Sequence, residues 1–76
     1  MKKTTYIVTQ DLGKCTNIDA IITDNDCTDA TIKFLESNSM VLLDNHFTRY
    51  GKDCLTFRVE NSESVYYVEP FKGKVL

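Results

Sequence analysis

The chain alternates apolar and polar side chains most regularly in the stretch Leu55-Thr56-Phe57-Arg58-Val59-Glu60. Successive side chains of a strand point in opposite directions, so Leu55, Phe57 and Val59 would share one face. The stretch therefore predicts a strand with one face on a hydrophobic core and the other in water, which is typical of an antiparallel sheet.

A second strand is predicted directly after this one. Asn61-Ser62-Glu63-Ser64 has the composition of a turn, and residues 65–69 are rich in β-branched and aromatic side chains. Pro70 has no backbone N–H to donate, so this strand should end beside it. Residues 55–69 thus predict a hairpin.

The N-terminal third predicts another hairpin. Residues 4–9 and 18–23 both alternate, and Asp11-Leu12-Gly13-Lys14 between them has turn chemistry because Gly13 can adopt positive φ. We expect the two strands to pair across this turn.

A helix is predicted to begin near Cys27, with Asp26 or Thr28 as its N-cap, because apolar residues then recur at spacings of three and four. Asn38 is the expected left-handed stop. The apolar run at 40–43 predicts the most buried strand of the sheet.

These elements follow the order β-β-α-β-β-β. Short links favour antiparallel neighbours, so we predict an α+β fold with one helix packed on a curved antiparallel sheet of four to five strands. A chain of 76 residues can hold one hydrophobic core, which predicts a single domain over residues 1–76.

Charge and hydropathy narrow the class of protein. The chain has 9 Lys and Arg against 11 Asp and Glu, a net charge of -2. This charge does not suit a surface that neutralises many phosphates, and it is too small for a polyanion that imitates DNA. Residues 4–11 lack the apolar stretch of an export signal, and no run is long enough to cross a bilayer. We expect a soluble, cytoplasmic protein without a membrane partner.

Catalytic and metal-binding signatures are weak. Cys15, Cys27, His46 and Cys54 are the ligand types of a zinc site, but their wide spacing lacks the paired ligands of a tight turn. An odd number of cysteines favours reduced thiols, and thiolate formation at Cys27 is opposed by nearby acidic residues. We expect no enzyme activity and no cofactor, with a small zinc-stabilised Cys/His domain as an alternative.

Two surfaces could bind a partner. Residues 15–46 carry six acidic side chains and one basic side chain, Lys33. The negative charge of this segment could attract a basic partner and guide its association. Thr48, Tyr50, Thr56, Arg58 and Tyr66 are expected to share the sheet face away from the helix. The predicted binding residues are Asp24, Asp26, Asp29, Glu36, Tyr50, Arg58 and Tyr66.

In size and element order the chain resembles the small inhibitor proteins of phages and mobile elements, such as anti-CRISPR proteins. The resemblance rests on a first strand with Tyr6-Ile7, a second strand, a helix with Ala30 and Leu35, and three strands ending in aromatic sequence. It contains no sequence motif, so no functional residue is transferred. It implies an inhibitor or adaptor that contacts a larger protein or ribonucleoprotein of the host.

Two further partners are compatible with the sequence. A homodimer could form through an open sheet edge. Aromatic and Arg side chains on a sheet could also stack single-stranded bases, although the acidic total makes nucleic acid the weaker expectation.

Overall fold

One helix and five strands form the fold, in the order β-β-α-β-β-β that the sequence predicts. The computed structural model of the protein describes residues 3–71, apart from the side chains of residues 44–46. The elements are β1 (Thr4–Asp11), β2 (Thr16–Asp24), α1 (Cys27–Ser37), β3 (Leu42–Gly51), β4 (Cys54–Val59) and β5 (Val65–Pro70).

The five strands make a single sheet in the order β2-β1-β5-β4-β3, and every neighbouring pair is antiparallel. β5 lies between β1 and β4, so it joins the N-terminal hairpin to the C-terminal strands. This arrangement confirms the predicted α+β fold and leaves β2 and β3 at the two edges.

The helix packs on one face of the sheet, which we call the inner face. Phe34 of α1 lies against Phe57 and Tyr66, with ring centroids 6.2 and 5.8 Å apart. Phe57 and Tyr66 stack on each other at 5.1 Å. The buried hydrophobic side chains are Tyr6, Val8, Cys27, Ala30, Phe34, Leu55, Phe57, Val59, Tyr66 and Val68. The alternation at 55–59 is therefore confirmed as the core face of β4.

The start of α1 is held by two carboxylates. Asp26 is the N-cap, and its Oδ1 accepts a hydrogen bond from the Asp29 N–H at 2.8 Å. The Cys27 N–H donates to Oδ1 of Asp53 at 3.2 Å, so a residue of the β3–β4 turn satisfies a second free donor of the first helical turn. Of the two predicted caps, Asp26 and Thr28, the structure shows Asp26.

The end of α1 differs from the prediction by one residue. Asn38 has φ -108° and Ser39 has φ 53°, so Ser39 and not Asn38 adopts the left-handed conformation. The Met40 N–H donates to the Leu35 carbonyl at 2.9 Å and the Ser39 N–H to the Glu36 carbonyl at 3.3 Å. These two bonds form a Schellman motif, which places the left-handed residue one position later.

The prediction of a deeply buried strand at 40–43 is wrong. β3 begins at Leu42 and is an edge strand, Leu42 and Leu43 are only half-buried, and Val41 is 59% exposed. The helix packs over β1, β2, β4 and β5, so β3 lies beside the covered area. Within residues 3–71 no helix is long and apolar enough to cross a membrane.

Candidate functional site: the outer face of the sheet

The sheet face opposite α1, which we call the outer face, is covered by no other element of residues 3–71. The strand register aligns one row of its side chains across all five strands, because directly paired residues point to the same side. This row consists of Thr48, Thr56, Tyr67, Thr9 and Ile18.

A second row brings apolar side chains beside the first. Ile7 pairs with Glu69 on one side and with Ile21 on the other. Ile18 is 65% exposed and Ile21 is 54% exposed. Two neighbouring large aliphatic side chains of β2 are therefore left in water on this face, which is a marker of an interaction surface when such residues cluster.

An aromatic group lies at the other side of the outer face. Tyr50, 47% exposed, packs edge-on against Tyr67 with ring centroids 6.0 Å apart. Its hydroxyl donates a hydrogen bond to Oε2 of Glu69. Burial and the neighbouring Glu69 carboxylate both raise the pKa of Tyr50, so the hydroxyl keeps its proton at neutral pH. The pair of rings is thus held in one orientation.

Arg58 lies on β4 with its side chain on the outer face, since its neighbours Phe57 and Val59 are buried on the inner face. The side chain is half-buried, and its Nε is enclosed without a hydrogen-bond acceptor among the described atoms. Arg58 therefore contributes a half-buried cation to the outer face.

The prediction that Tyr66 lies on this face is wrong. Tyr66 is 3% exposed and belongs to the core. The register pairs Tyr66 with Phe57 and Tyr67 with Thr56, so Tyr67 is the tyrosine that β5 contributes to the outer face. Sequence reasoning missed Tyr67 because two adjacent tyrosines give β5 an aromatic ring on each face. The available signal was the pair that follows the tyrosines: Val68 is apolar and shares a face with Tyr66, whereas Glu69 is charged and shares a face with Tyr67.

The acidic residues predicted to bind a partner lie apart from Tyr50 and Arg58. Asp24 ends β2, Asp26 and Asp29 lie at the start of α1, and Glu36 is exposed in its last turn. Three of these carboxylates accept local hydrogen bonds: Asp24 from the Asn25 N–H, Asp26 from the Asp29 N–H and Asp29 from the Asn25 side-chain amide. Of the seven predicted residues, the structure thus places Tyr50 and Arg58 on the outer face, Tyr66 in the core and the four acids near β2 and α1, where three of them accept local hydrogen bonds.

The cysteines do not form a cluster. Cys15 is exposed between β1 and β2, Cys27 is buried in the first turn of α1 and Cys54 is half-buried at the start of β4. No group of three ligand-type side chains able to hold a metal occurs among the described side chains, and the side chain of His46 lies outside them. Burial raises the pKa of the Cys27 thiol, which disfavours a nucleophilic thiolate there.

Two other features are weaker sites. A shallow, open cavity of about 390 Å³ lies between the β1–β2 turn and the β4–β5 link, lined by Asp11, Leu12, Gly13, Glu63, Ser64 and Val65.

Both edge strands pair irregularly with their neighbours. The register shifts once in β2, between Ile18 and Ala20, and twice in β3. Such irregularities interrupt the backbone pairing that a second chain would extend.

No protein-family model, curated protein or solved structure matches this chain. The chemistry and geometry of its own surface are therefore the basis for a function.

Proposed function

We propose that this domain is a non-enzymatic binding protein, an inhibitor or adaptor of the type encoded by phages and mobile elements, which contacts a larger protein of the host through its outer face. One observation supports this most strongly. The helix covers only one face of a five-stranded sheet, and the uncovered face exposes Ile18, Ile21 and Tyr50.

The composition of the outer face suits a protein partner. Its exposed isoleucines supply apolar area, worth roughly 25 cal/mol per Å² when removed from water. Tyr50, Tyr67 and Arg58 belong to the residue types enriched at the energetic centres of interfaces. Thr9, Thr48 and Thr56 lie in the same row as Tyr67 and add small polar side chains to this surface.

The acidic residues are not included in the proposed contact. Asp24, Asp26 and Asp29 accept hydrogen bonds around the start of α1, and capping explains their presence there. Their charge can still act at long range on a basic partner.

Affinity capture with matched variants tests the proposal. Ile21→Arg places a charge on the outer face, and Ile32→Arg places the same charge on the exposed side of α1, where Ile32 is 47% exposed. We expect one protein from a lysate of the source cell to be retained by wild type and Ile32→Arg in equal amounts, and lost with Ile21→Arg. Equal capture by both variants, or no protein that distinguishes them, would contradict the proposal.

Single-stranded nucleic acid is the second candidate ligand, because Tyr50, Tyr67 and Arg58 are on one open face. This alternative predicts that a fluorescent oligothymidylate binds at low salt, that added salt weakens binding, and that Tyr67→Ala abolishes it. The proposed protein-binding function predicts no change in fluorescence anisotropy for wild type or variant.

A further inference from the structure

We infer that Glu69 binds a lysine or arginine side chain of the protein partner, so that the outer face selects a basic residue flanked by apolar ones. This inference rests on the proposed function, since it specifies the chemistry of the same surface.

The first argument is the accessibility and orientation of the Glu69 carboxylate. Glu69 is exposed on the outer face, and its Oε2 accepts a hydrogen bond from the Tyr50 hydroxyl. Tyr50 is itself packed edge-on against Tyr67. A carboxylate has about four lone-pair sites, so one bond from a tyrosine leaves room for the N–H groups of a cation. The tyrosine bond orients the carboxylate before a partner arrives, which lowers the entropic cost of binding.

The second argument is the set of side chains around this carboxylate. Toward β3 lies Tyr50, which forms with Tyr67 a pair of rings whose planes are 83° apart, and a ring face attracts a cation within about 6 Å. Toward β1 and β2, Glu69 pairs with Ile7, and Ile7 pairs with Ile21, which is 54% exposed. The methylene stem of a lysine or arginine can cover these isoleucines while its charged end meets Glu69.

The third argument is the separation of the charges on this face. The Thr56–Tyr67 pair lies between Arg58 and Glu69, and the four residues from the position opposite Arg58 to Glu69 span about 13 Å of strand. The carboxylate is therefore the charge nearest to the tyrosine pair and the isoleucines among the described strand side chains. A phosphate backbone is repelled by this charge, whereas a basic side chain of a protein is attracted.

The experiment selects a displayed library of random peptides in parallel against wild type, Glu69→Gln, Asp11→Asn and Ile21→Arg. Glu69→Gln removes the charge but keeps an oxygen that accepts from Tyr50. Asp11→Asn is the matched control, because Asp11 is an exposed acid at the other end of the outer face and its amide still accepts from the Gly13 N–H. We expect wild type and Asp11→Asn to enrich peptides that combine Lys or Arg with apolar residues. Glu69→Gln should enrich apolar residues alone, and Ile21→Arg should lose both.

The best wild-type peptide then measures the contact directly by fluorescence anisotropy. Changing its basic residue to methionine keeps an aliphatic stem and removes the charge. This change should weaken binding to wild type and to Asp11→Asn about fivefold, the upper range for an exposed ion pair, and to Glu69→Gln less than about twofold.

The outcomes separate the two claims. Peptides that depend on Ile21 but show no preference for a basic residue, or a change to methionine that weakens wild type and Glu69→Gln equally, would overturn the role of Glu69 and leave the binding face intact. Loss of the preference in Asp11→Asn as well as in Glu69→Gln would also overturn that role, since it would show a response to net charge alone. Selection that is insensitive to Ile21→Arg would overturn the proposed function and, with it, the inference.

Discussion

The hydroxyl of Tyr6 donates a hydrogen bond to the carboxylate of Asp53, 47 residues further along the chain. Tyr6 is fully buried in β1, and the other oxygen of Asp53 accepts from the first N–H of α1 at Cys27. One carboxylate therefore joins the central part of the sheet, the β3–β4 turn and the helix start. Burial opposes its charge, but the bonds from Tyr6 and Cys27 outweigh this and hold the pKa of Asp53 below its usual range.

The Asp53 carboxylate should make the free energy of unfolding depend on pH in the acidic range. The pKa of Asp53 is lower in the folded than in the unfolded protein, so its contribution is complete above the unfolded value of about 4 and is lost as pH falls through the folded value. We expect Asp53→Asn to lower the free energy of unfolding by about 1–3 kcal/mol at pH 7 and to reduce its decline between about pH 5 and pH 2. Urea titrations across this range measure both effects.

Asparagine is a suitable replacement because Asp53 has φ 66°, a left-handed conformation that asparagine tolerates. Tyr50→Phe is the control, since it removes the similar hydroxyl-to-carboxylate bond at an exposed site and should cost less than about 0.5 kcal/mol. If the free energy of unfolding fell equally with pH in wild type and Asp53→Asn, the assigned role of Asp53 would be contradicted.

The adjacent tyrosines of β5 should behave differently. Tyr66 stacks on Phe57 and contacts Phe34 in the core, so Tyr66→Ala should destabilise the fold by about 3–5 kcal/mol. Tyr67 lies half-buried on the outer face, so Tyr67→Ala should cost about 1 kcal/mol and mainly weaken partner capture. Thermal melts give the first comparison and affinity capture gives the second. Equal loss of stability in Tyr66→Ala and Tyr67→Ala would contradict the register of β5, which places Tyr66 in the core and Tyr67 on the outer face.

Most of the fold could be predicted from the sequence because the deciding signals are local. The alternation at 55–59, the turn at 11–14 and the cap at Asp26 each depend on a few neighbouring residues, and each matches the structure. The burial of the strand at 40–43 could not be predicted this way. It depends on β5 pairing with β1 as well as β4, a long-range choice that places β3 outside the area the helix covers.

The site was predicted less well than the fold. Tyr50 and Arg58 lie on the outer face as expected, but Tyr66 does not, because the turn at 61–64 sets the phase of β5 and its composition does not reveal its length. The exposure of Ile18 and Ile21 does not follow from the sequence, because both residues fit an ordinary alternating strand. Alternation identifies which residues share a face, whereas only tertiary packing decides which face the single helix covers.

The acidic residues near α1 should act mainly on stability. Asp26→Ala removes the N-cap bond to the Asp29 N–H and should lower the free energy of unfolding by about 1 kcal/mol. Asp24→Ala, which loses a bond to the adjacent Asn25 N–H, should cost less than about 0.5 kcal/mol. Partner capture should be reduced in neither variant by more than about twofold at physiological salt, since screening weakens long-range charge. A larger loss of partner capture would mean that these residues belong to the contact surface.

The thiols should react in order of their exposure. Cys15 is exposed, Cys54 is half-buried, and Cys27 is buried with a raised pKa. We expect iodoacetamide to modify Cys15 first, Cys54 more slowly and Cys27 only when urea unfolds the protein, as followed by peptide mass spectrometry. Modification of Cys27 at the rate of Cys15 would contradict its placement in the core.

A chelator separates this fold from the zinc-stabilised alternative. The described ligand-type side chains do not converge, so we expect EDTA to leave the melting temperature unchanged and elemental analysis to find no stoichiometric zinc. A melting temperature that falls with EDTA and recovers with added zinc would contradict this expectation.

The most direct measurement of the central claim is site-specific photo-crosslinking in a lysate of the source cell. Tyr67→p-benzoylphenylalanine places the reactive group on the outer face, and Ile32→p-benzoylphenylalanine places it on the exposed side of α1. The proposed function predicts one protein covalently attached at position 67, none at position 32, and competition by added wild-type protein. A crosslink at position 32 alone, or the same products from both positions, would show that the uncovered sheet face is not the binding surface.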